Sequence, residues 1–356
     1  MTIDPHSSFS FRTEMNLMKK LSYTFSKTTT WFYFDADFSF LGKLVNKDTS
    51  IVITDENIFN AHKKKFDGWN VIVLNPGEEY KIQSTVDEVV EQLIAFEADR
   101  KTFLLGIGGG VVTDLTGYIA AVYMRGIPFG FVPTSLLAMV DASIGGKNGI
   151  DVGVYKNIVG TIRQPEFLLY DFSFLKSLPR TEWINGFAEI IKHACIKDSR
   201  LFKLLESKQL KDFQKDGKAL SVLVQKNVQI KATVVQNDEF ETGERRLLNF
   251  GHTLGHAIEN IYELSHGQAI AIGMTAASRI SQQLNGFPES DRVMHLLDRY
   301  GLPTLLEFDK QKAFEVLKMD KKKVSGTMNY VLLEKIGKGT VQQIPLPSME
   351  ELINQL

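Results

Sequence analysis

Four short apolar runs, SIVITD (50–55), NVIVLN (70–75), TFLLGIG (102–108) and PFGFVPT (128–134), are rich in Val, Ile and Phe and are bounded by turn residues, the signature of buried strands. Between them the periodicity is helical. STVDEVVEQLIAFEADR (84–100) repeats its apolar residues at helical intervals, and Ser84 with Asp87 has capping-box-like spacing. Strands alternating with helices confine this region to a parallel, doubly wound sheet. After about residue 175 the texture changes, because 183–197, 217–236, 246–262 and 268–285 carry helical periodicity and few strand signals. A chain of 356 residues also exceeds the usual size of one hydrophobic core. The expectation is α/β plus all-α: an N-terminal Rossmann-like parallel-sheet domain over 1–176 and a helical domain over 177–356, with the boundary in KSLPRTEW (176–183).

The 41 basic and 42 acidic side chains leave a net charge of −1, so no global field recruits nucleic acid or an anionic membrane. A small, locally recognised ligand is the expected partner. No apolar run reaches the roughly 18 residues of a membrane helix, and the start, MTIDPHSSFSFRTEMN, lacks a secretory pattern. The single cysteine, Cys195, suits a reducing compartment. The cytoplasm is the expected location.

LLGIGGGVVTDLTGYIAAVYMRG (104–126) runs from a strand through Gly108, Gly109 and Gly110 into a helix, where backbone N–H groups and a helix N-terminus can meet a phosphate. Val111 stands where the usual dinucleotide fingerprint has a third glycine, so a plain tight turn is the competing reading. Asp114, just inside the helix, suits either the helix dipole or a ligand hydroxyl. PGEEYK (76–81) is a surface turn unless it lies near this loop. PTSLLAMVDASIGGKNGIDVGVYKN (133–157) holds Asp141, Lys147, Lys156 and Asn157 among small residues; converging lysines would bind a phosphate ester, and scattered ones would be merely solvated.

Three of the seven histidines, His252, His256 and His266, fall within fifteen residues. On one continuous helix Arg245, Asn249, His252 and His256 would occupy i, i+4, i+7 and i+11, a narrow stripe. Solvated stripes are built from Lys and Glu far more often than from His, Asn and Arg. NGFAEIIKHACI (185–196) adds Glu189, Lys192 and His193 in an otherwise apolar helix, where a carboxylate needs a cation or metal. Glu189 with His252 and either His256 or His266 would make a catalytic divalent site with one position open. His193 is a fourth candidate.

These residues carry a resemblance. GIGGGVVTDLTGYIAAVYMRG, VDASIGGKNG, YKNIVGTIRQP, NGFAEIIKHACIKD, KATVVQNDEFETGERRLLNFGHTLGHAIE, SHGQAIAIGM and DKKK resemble, in order, the blocks of the 3-dehydroquinate synthases, members of the sugar phosphate cyclases, from about residue 50 to about 335. The resemblance implies an NAD-binding α/β domain, a helical metal- and substrate-binding domain, an active site between them and a homodimer. It implies Zn²⁺ or Co²⁺ on Glu189, His252 and His266. It implies substrate contacts from Asp141, Lys147, Asn157, Lys192, Lys231, Arg245, Asn249 and His256, with Lys147, Asn157, Asn249 and His256 toward a phosphate and Arg245 toward a carboxylate. Arg125 resembles an arginine supplied across the dimer, and Lys322 is the favoured lysine of DKKK. For NAD the matching positions are Asp55, Glu78, Lys81, Gly109, Gly110, Asp114, Thr134, Ser135, Lys156 and Ser177.

The implied reaction converts 3-deoxy-D-arabino-heptulosonate 7-phosphate to 3-dehydroquinate and phosphate, in the shikimate route to aromatic compounds. NAD⁺ takes and returns one hydride while the metal polarises oxygen, phosphate leaves between these steps, and an aldol closure in a pocket that fixes conformation completes the ring. This chain departs from the commoner family pattern at Thr134-Ser135, Asp141-Ala142-Ser143 and Tyr155-Lys156-Asn157. Two other readings compete: a metal-dependent alcohol or polyol-phosphate dehydrogenase of the same architecture, and a non-catalytic relative. The first has no evident use for Lys147, Lys231 and Arg245 together.

Overall fold

The computed structural model describes residues 19–153, 155–259, 261–305, 307–318, 323–324 and 326–356; Lys322 lies outside them. The chain divides into two units, one holding the described residues up to Leu178 with Ser221–Gln225, the other Pro179–Leu220 with the described residues from Lys226 onward.

The strands of the first unit are β1 (Lys19–Thr24), β2 (Thr29–Phe34), β3 (Ser50–Asp55), β4 (Asn70–Leu74), β5 (Phe103–Gly108), β6 (Phe129–Pro133), β7 (Lys147–Val152), β8 (Tyr155–Ile162) and β9 (Phe167–Leu169). Seven of them form one sheet in the order β1-β2-β9-β6-β5-β3-β4, parallel except for the β1–β2 pair. Strands covered on both faces read as unbroken apolar runs, and β6 is buried along its whole length. Helices Gln83–Ala95 and Gly110–Val122 supply crossovers. The capping box expected at Ser84 does not form. The N-cap is Ile82, two residues earlier, so Ser84 lies inside the first turn, and the helix stops at Ala95 rather than running to 100. β7 and β8 make a separate antiparallel hairpin that the apolar pattern did not reveal.

The second unit is built on helices Arg180–Lys197, His252–Glu259, His266–Asn285, Ser290–Arg299 and Lys310–Lys318, with the Gly217–Asn237 helix outside its Ser221–Gln225 stretch. It also contains an antiparallel sheet of β10 (Lys323–Val324), β11 (Thr327–Lys335) and β12 (Lys338–Pro345), beyond the helical texture expected. Leu254, Ile258, Ile272, Ala276 and Ala313 pack into one apolar cluster. Three of these helices approach backbone to backbone at glycines. A Cβ on Gly273 would lie 1.9 Å from the Gly251 carbonyl oxygen, and one on Gly267 would lie 2.6 Å from the Asn185 Cα.

The single helix expected over 246–262 is two pieces. Glu244–Asn249 is a 3-10 turn, Phe250 is non-helical, Gly251 has φ +80°, and an α-helix starts at His252. Glycine is the residue that enters this left-handed region without cost, and the helix ladder ends there. The four-residue stripe therefore does not exist as drawn: His252 and His256 share a helix face, whereas Arg245 and Asn249 belong to the preceding turn.

Candidate active site

The parallel register places the carboxyl ends of β3, β4, β5 and β6 at one edge of the sheet, which is where open α/β sheets bind ligands. Asp55 ends β3, Glu78 and Lys81 follow β4, Gly109 and Gly110 follow β5, and Thr134 and Ser135 follow β6. The Thr134 N–H donates to the Gly108 carbonyl at 2.9 Å, tying two of these turns together. A Cβ on Gly108 would strike Val112 at 2.5 Å, so packing requires that glycine. Gly109 is different: its φ is −76° and a Cβ would meet nothing nearer than Ser135 Oγ at 3.5 Å. Nothing within the chain demands glycine at 109, which leaves space for a ligand against the helix N-terminus.

Lys81, 4% exposed, joins the PGEEYK turn to this helix, its Nζ lying 2.5 Å from Asp114 Oδ2 and 3.7 Å from Glu78 Oε1. Burial works against its charge, but Asp114 and Glu78 outweigh it and hold the ammonium well above the usual lysine range. Asp55 caps the next helix by accepting the Ile58 N–H at 3.0 Å, and burial pushes its carboxyl up. Ser177 bonds His62 Nε2 at 2.7 Å.

Asp141 sits in the Ala138–Ala142 turn, and Lys147 and Lys156 lie exposed on β7 and β8. Asn157, at φ +52°, donates its N–H to Asp151 Oδ1 at 2.6 Å. Arg125 is exposed and, with Met124, left-handed at φ +67° and +48°. Arg163 braces that turn by donating to the Ala120 carbonyl at 2.5 Å.

In the second unit Glu189 is fully buried and His252 is 9% exposed. Two imidazoles converge on one oxygen: Glu189 Oε1 lies 3.6 Å from His252 Nε2 and 3.3 Å from His266 Nε2. Ligand atoms of Glu189, His252 and His266 all lie within 4.8 Å of one another. His252 Nδ1 faces the Phe250 carbonyl at 3.2 Å; a carbonyl only accepts, so Nδ1 is the donor there and Nε2 is the nitrogen turned toward Glu189. Two imidazole nitrogens and a carboxylate with this convergence fit a divalent cation. Lys192, buried at 1% exposure, is paired with Glu189 Oε2. Burial disfavours the His266 imidazolium, but Glu189 and Glu259 prevail and lift its pKa to about 9, although 30% of the side chain remains exposed. The fourth candidate, His193, directs Nδ1 at Asn227 Oδ1, 3.0 Å away on the Gly217–Asn237 helix, a link that ties two helices together.

His256 turns its ring to those of His252 and His266, with centroids 5.1 and 6.2 Å away. Lys231 is 7% exposed and Arg245 3% exposed. Arg245 is held by a loop the sequence reading overlooked. Asp238 accepts the N–H groups of Thr242, Gly243 and Arg245 at 2.9, 2.7 and 3.0 Å, and Arg245 Nη1 donates to the Glu239 carbonyl at 2.5 Å. Asn249 Nδ2 donates to Glu241 Oε1 at 2.5 Å. Glu259 also went unnoticed, although it stands at i+7 from His252 and i+3 from His256 on their helix face.

The fold is that of solved sugar phosphate cyclases. A 2-epi-5-epi-valiolone synthase from Streptomyces hygroscopicus subsp. jinggangensis 5008 with NAD⁺ and Zn²⁺ bound superposes with a TM-score of 0.83 at 27% identity, covering 95% of this chain and 97% of that one. A 2-deoxy-scyllo-inosose synthase complexed with carbaglucose-6-phosphate, NAD⁺ and Co²⁺ gives 0.81 at 25% identity, over 95% of this chain and 100% of that one. An iron-containing alcohol dehydrogenase from Thermotoga maritima shares the fold alone, at 14% identity and a TM-score of 0.63 over 94% of this chain and 99% of that one.

The chain belongs to the 3-dehydroquinate synthase family. The family's N-terminal model matches residues 71–185 and its C-terminal model residues 186–323. The 3-dehydroquinate synthase of Pyrococcus abyssi (strain GE5 / Orsay) is 40% identical over 288 residues, 80% of this chain and 83% of that protein.

Proposed function

We propose that this chain converts 3-deoxy-D-arabino-heptulosonate 7-phosphate to 3-dehydroquinate and phosphate, with NAD⁺ and a Zn²⁺ or Co²⁺ ion. The observation that carries the metal reading is the aim of two Nε2 atoms at one oxygen of buried Glu189. When bound, the ion supplies a Lewis acid and NAD⁺ a reversible hydride acceptor. Glu189, His252 and His266 would hold the ion. Gly109 and Gly110 leave backbone N–H groups open to the pyrophosphate, and Asp114, oriented by Lys81, offers a carboxylate to a ribose hydroxyl. Asp55, Glu78, Thr134, Ser135, Lys156 and Ser177 complete the assignment for NAD.

The remaining polar groups bind and orient the sugar phosphate. Lys147, Asn157, Asn249 and His256 take the phosphate and Arg245 the carboxylate, with Asp141, Lys192 and Lys231 on the hydroxyls. The planar fork of an arginine suits a carboxylate better than a lysine's point charge does, and the Glu239 carbonyl helps to hold this one in place.

A homodimer in the cytoplasm is the proposed setting. The dimer is supported by the apolar side chains of the β7–β8 hairpin, where Val152, Tyr155, Ile158, Val159 and Ile162 are 39–55% exposed, with Val122 and Met124 exposed beside Arg125. Surfaces of that kind mark protein contacts. The test is phosphate release from the heptulosonate phosphate by metal-loaded protein with catalytic NAD⁺, with absorbance at 340 nm followed in parallel. Release in large excess over NAD⁺ without net NADH is expected; NADH accumulation on a polyol without phosphate release would overturn the proposal.

A further inference from the structure

The two nitrogens of His266 face two different carboxylates. Nε2 lies 3.3 Å from Glu189 Oε1, and Nδ1 lies 3.6 Å from Glu259 Oε2. Glu259 closes the His252–Glu259 helix with its side chain 7% exposed, a costly place for a carboxylate without a cationic or donor partner. The His266 backbone is fixed separately, as the first residue of a helix whose N-cap, Ser265, forms a capping box with Gln268. What remains to be set is the rotation and tautomer of the ring.

An imidazole that presents Nε2 to a divalent ion carries its proton on Nδ1, and that N–H needs an acceptor. For His252 the acceptor is the Phe250 carbonyl. We propose that Glu259 is the corresponding positioning residue for His266: it takes the Nδ1 proton's hydrogen bond and so aims Nε2 at Glu189. The inference rests on the metal reading of Glu189, His252 and His266. A rival role exists, because ligand atoms of His256, Glu259 and His266 also lie within 4.8 Å of one another, which would make Glu259 a ligand itself.

The experiment titrates full-length apoprotein with Zn²⁺ against a chromophoric chelator and with Co²⁺ in the visible region, for wild type, Glu259→Ala and Glu259→Gln. Removal of an outer-shell carboxylate weakens metal binding roughly 10–100-fold, and that loss is expected for Glu259→Ala. Glu259→Gln keeps an oxygen that accepts from Nδ1–H, so it should bind within about threefold of wild type, with the Co²⁺ band intensities unchanged. Undiminished affinity in Glu259→Ala overturns the positioning role. So does a tenfold or greater loss in Glu259→Gln with altered Co²⁺ bands, which would make Glu259 a ligand. Should Glu259→Ala not fold, Glu259→Leu, which keeps the volume but offers Nδ1–H no acceptor, takes its place with the same expected loss and the same overturning result. A wild-type protein that takes up no tight ion overturns the metal reading and this inference with it, whereas tight wild-type binding that survives in Glu259→Ala overturns this inference only.

Discussion

Gly273 lies so close to Gly251 that a methyl group on its Cα would sit 1.9 Å from the Gly251 carbonyl oxygen. That contact sets the separation of the His252–Glu259 and His266–Asn285 helices, and with it the distance between the histidines that begin them. Gly273→Ala should cost about 1–3 kcal/mol through overpacking against backbone that cannot yield. It should also weaken metal binding, because the histidines are forced apart. Urea denaturation and the chelator competition measure the two effects; a variant as stable and as tightly metalated as wild type would refute the packing argument.

His252→Ala should abolish tight metal binding and turnover while leaving a folded protein, since His252 closes no helix contact comparable to that of Gly251. Metal content after gel filtration and the far-UV spectrum provide the check. Full activity in this variant would sink the metal assignment.

Lys147 is exposed at the start of β7, so its removal should spare stability. A charge-assisted hydrogen bond is worth about 1.5–3 kcal/mol, and Lys147→Ala should therefore weaken binding of a phosphate ester by about ten- to a hundredfold. NAD⁺ affinity should change little. Equal losses in calorimetric titrations of the two ligands would contradict the assignment to phosphate.

Asp238 governs the loop that carries Arg245, and its effect depends on pH. Partial burial works against the charge, but three N–H groups and the Thr242 hydroxyl prevail and hold the carboxyl at about 2. The unfolded value is about 3.9. The folded value is the lower one, so the stabilisation is complete above about pH 4 and is lost as the pH falls toward 2. Asp238→Asn should lower stability at neutral pH and flatten the dependence between about pH 4 and 2. Parallel slopes for the two proteins in acid denaturation would remove Asp238 from this role.

The parallel sheet was legible because strands buried on both faces, such as β3 and β6, leave continuous apolar runs whatever surrounds them. The glycine turn was legible for the same local reason: strand end, glycines and helix start are consecutive. The β7–β8 hairpin was not, because all of β8 except Thr161 is exposed and an exposed strand need not alternate. Within the site, residue types pointed to Glu189, His252 and His266 before their geometry was known. Asn227 escaped notice because its bond to His193 crosses between helices 34 residues apart. Glu259 could have been found from its place on the histidine face. Asp238 could not, since apart from the Thr242 hydroxyl its bonds are to backbone groups that every sequence possesses.

The break at Gly251 reverses an ordinary expectation about improvement. Residues 244–259 would make a better isolated helix with alanine at 251, by about 1 kcal/mol on intrinsic propensity. A continuous helix would, however, swing the Phe250 carbonyl away from His252 and redirect Arg245 and Asn249. Any procedure that ranks variants of this chain by helix-forming tendency will therefore favour the substitution that dismantles the site, and selection for turnover must hold the locally poorer helix in place.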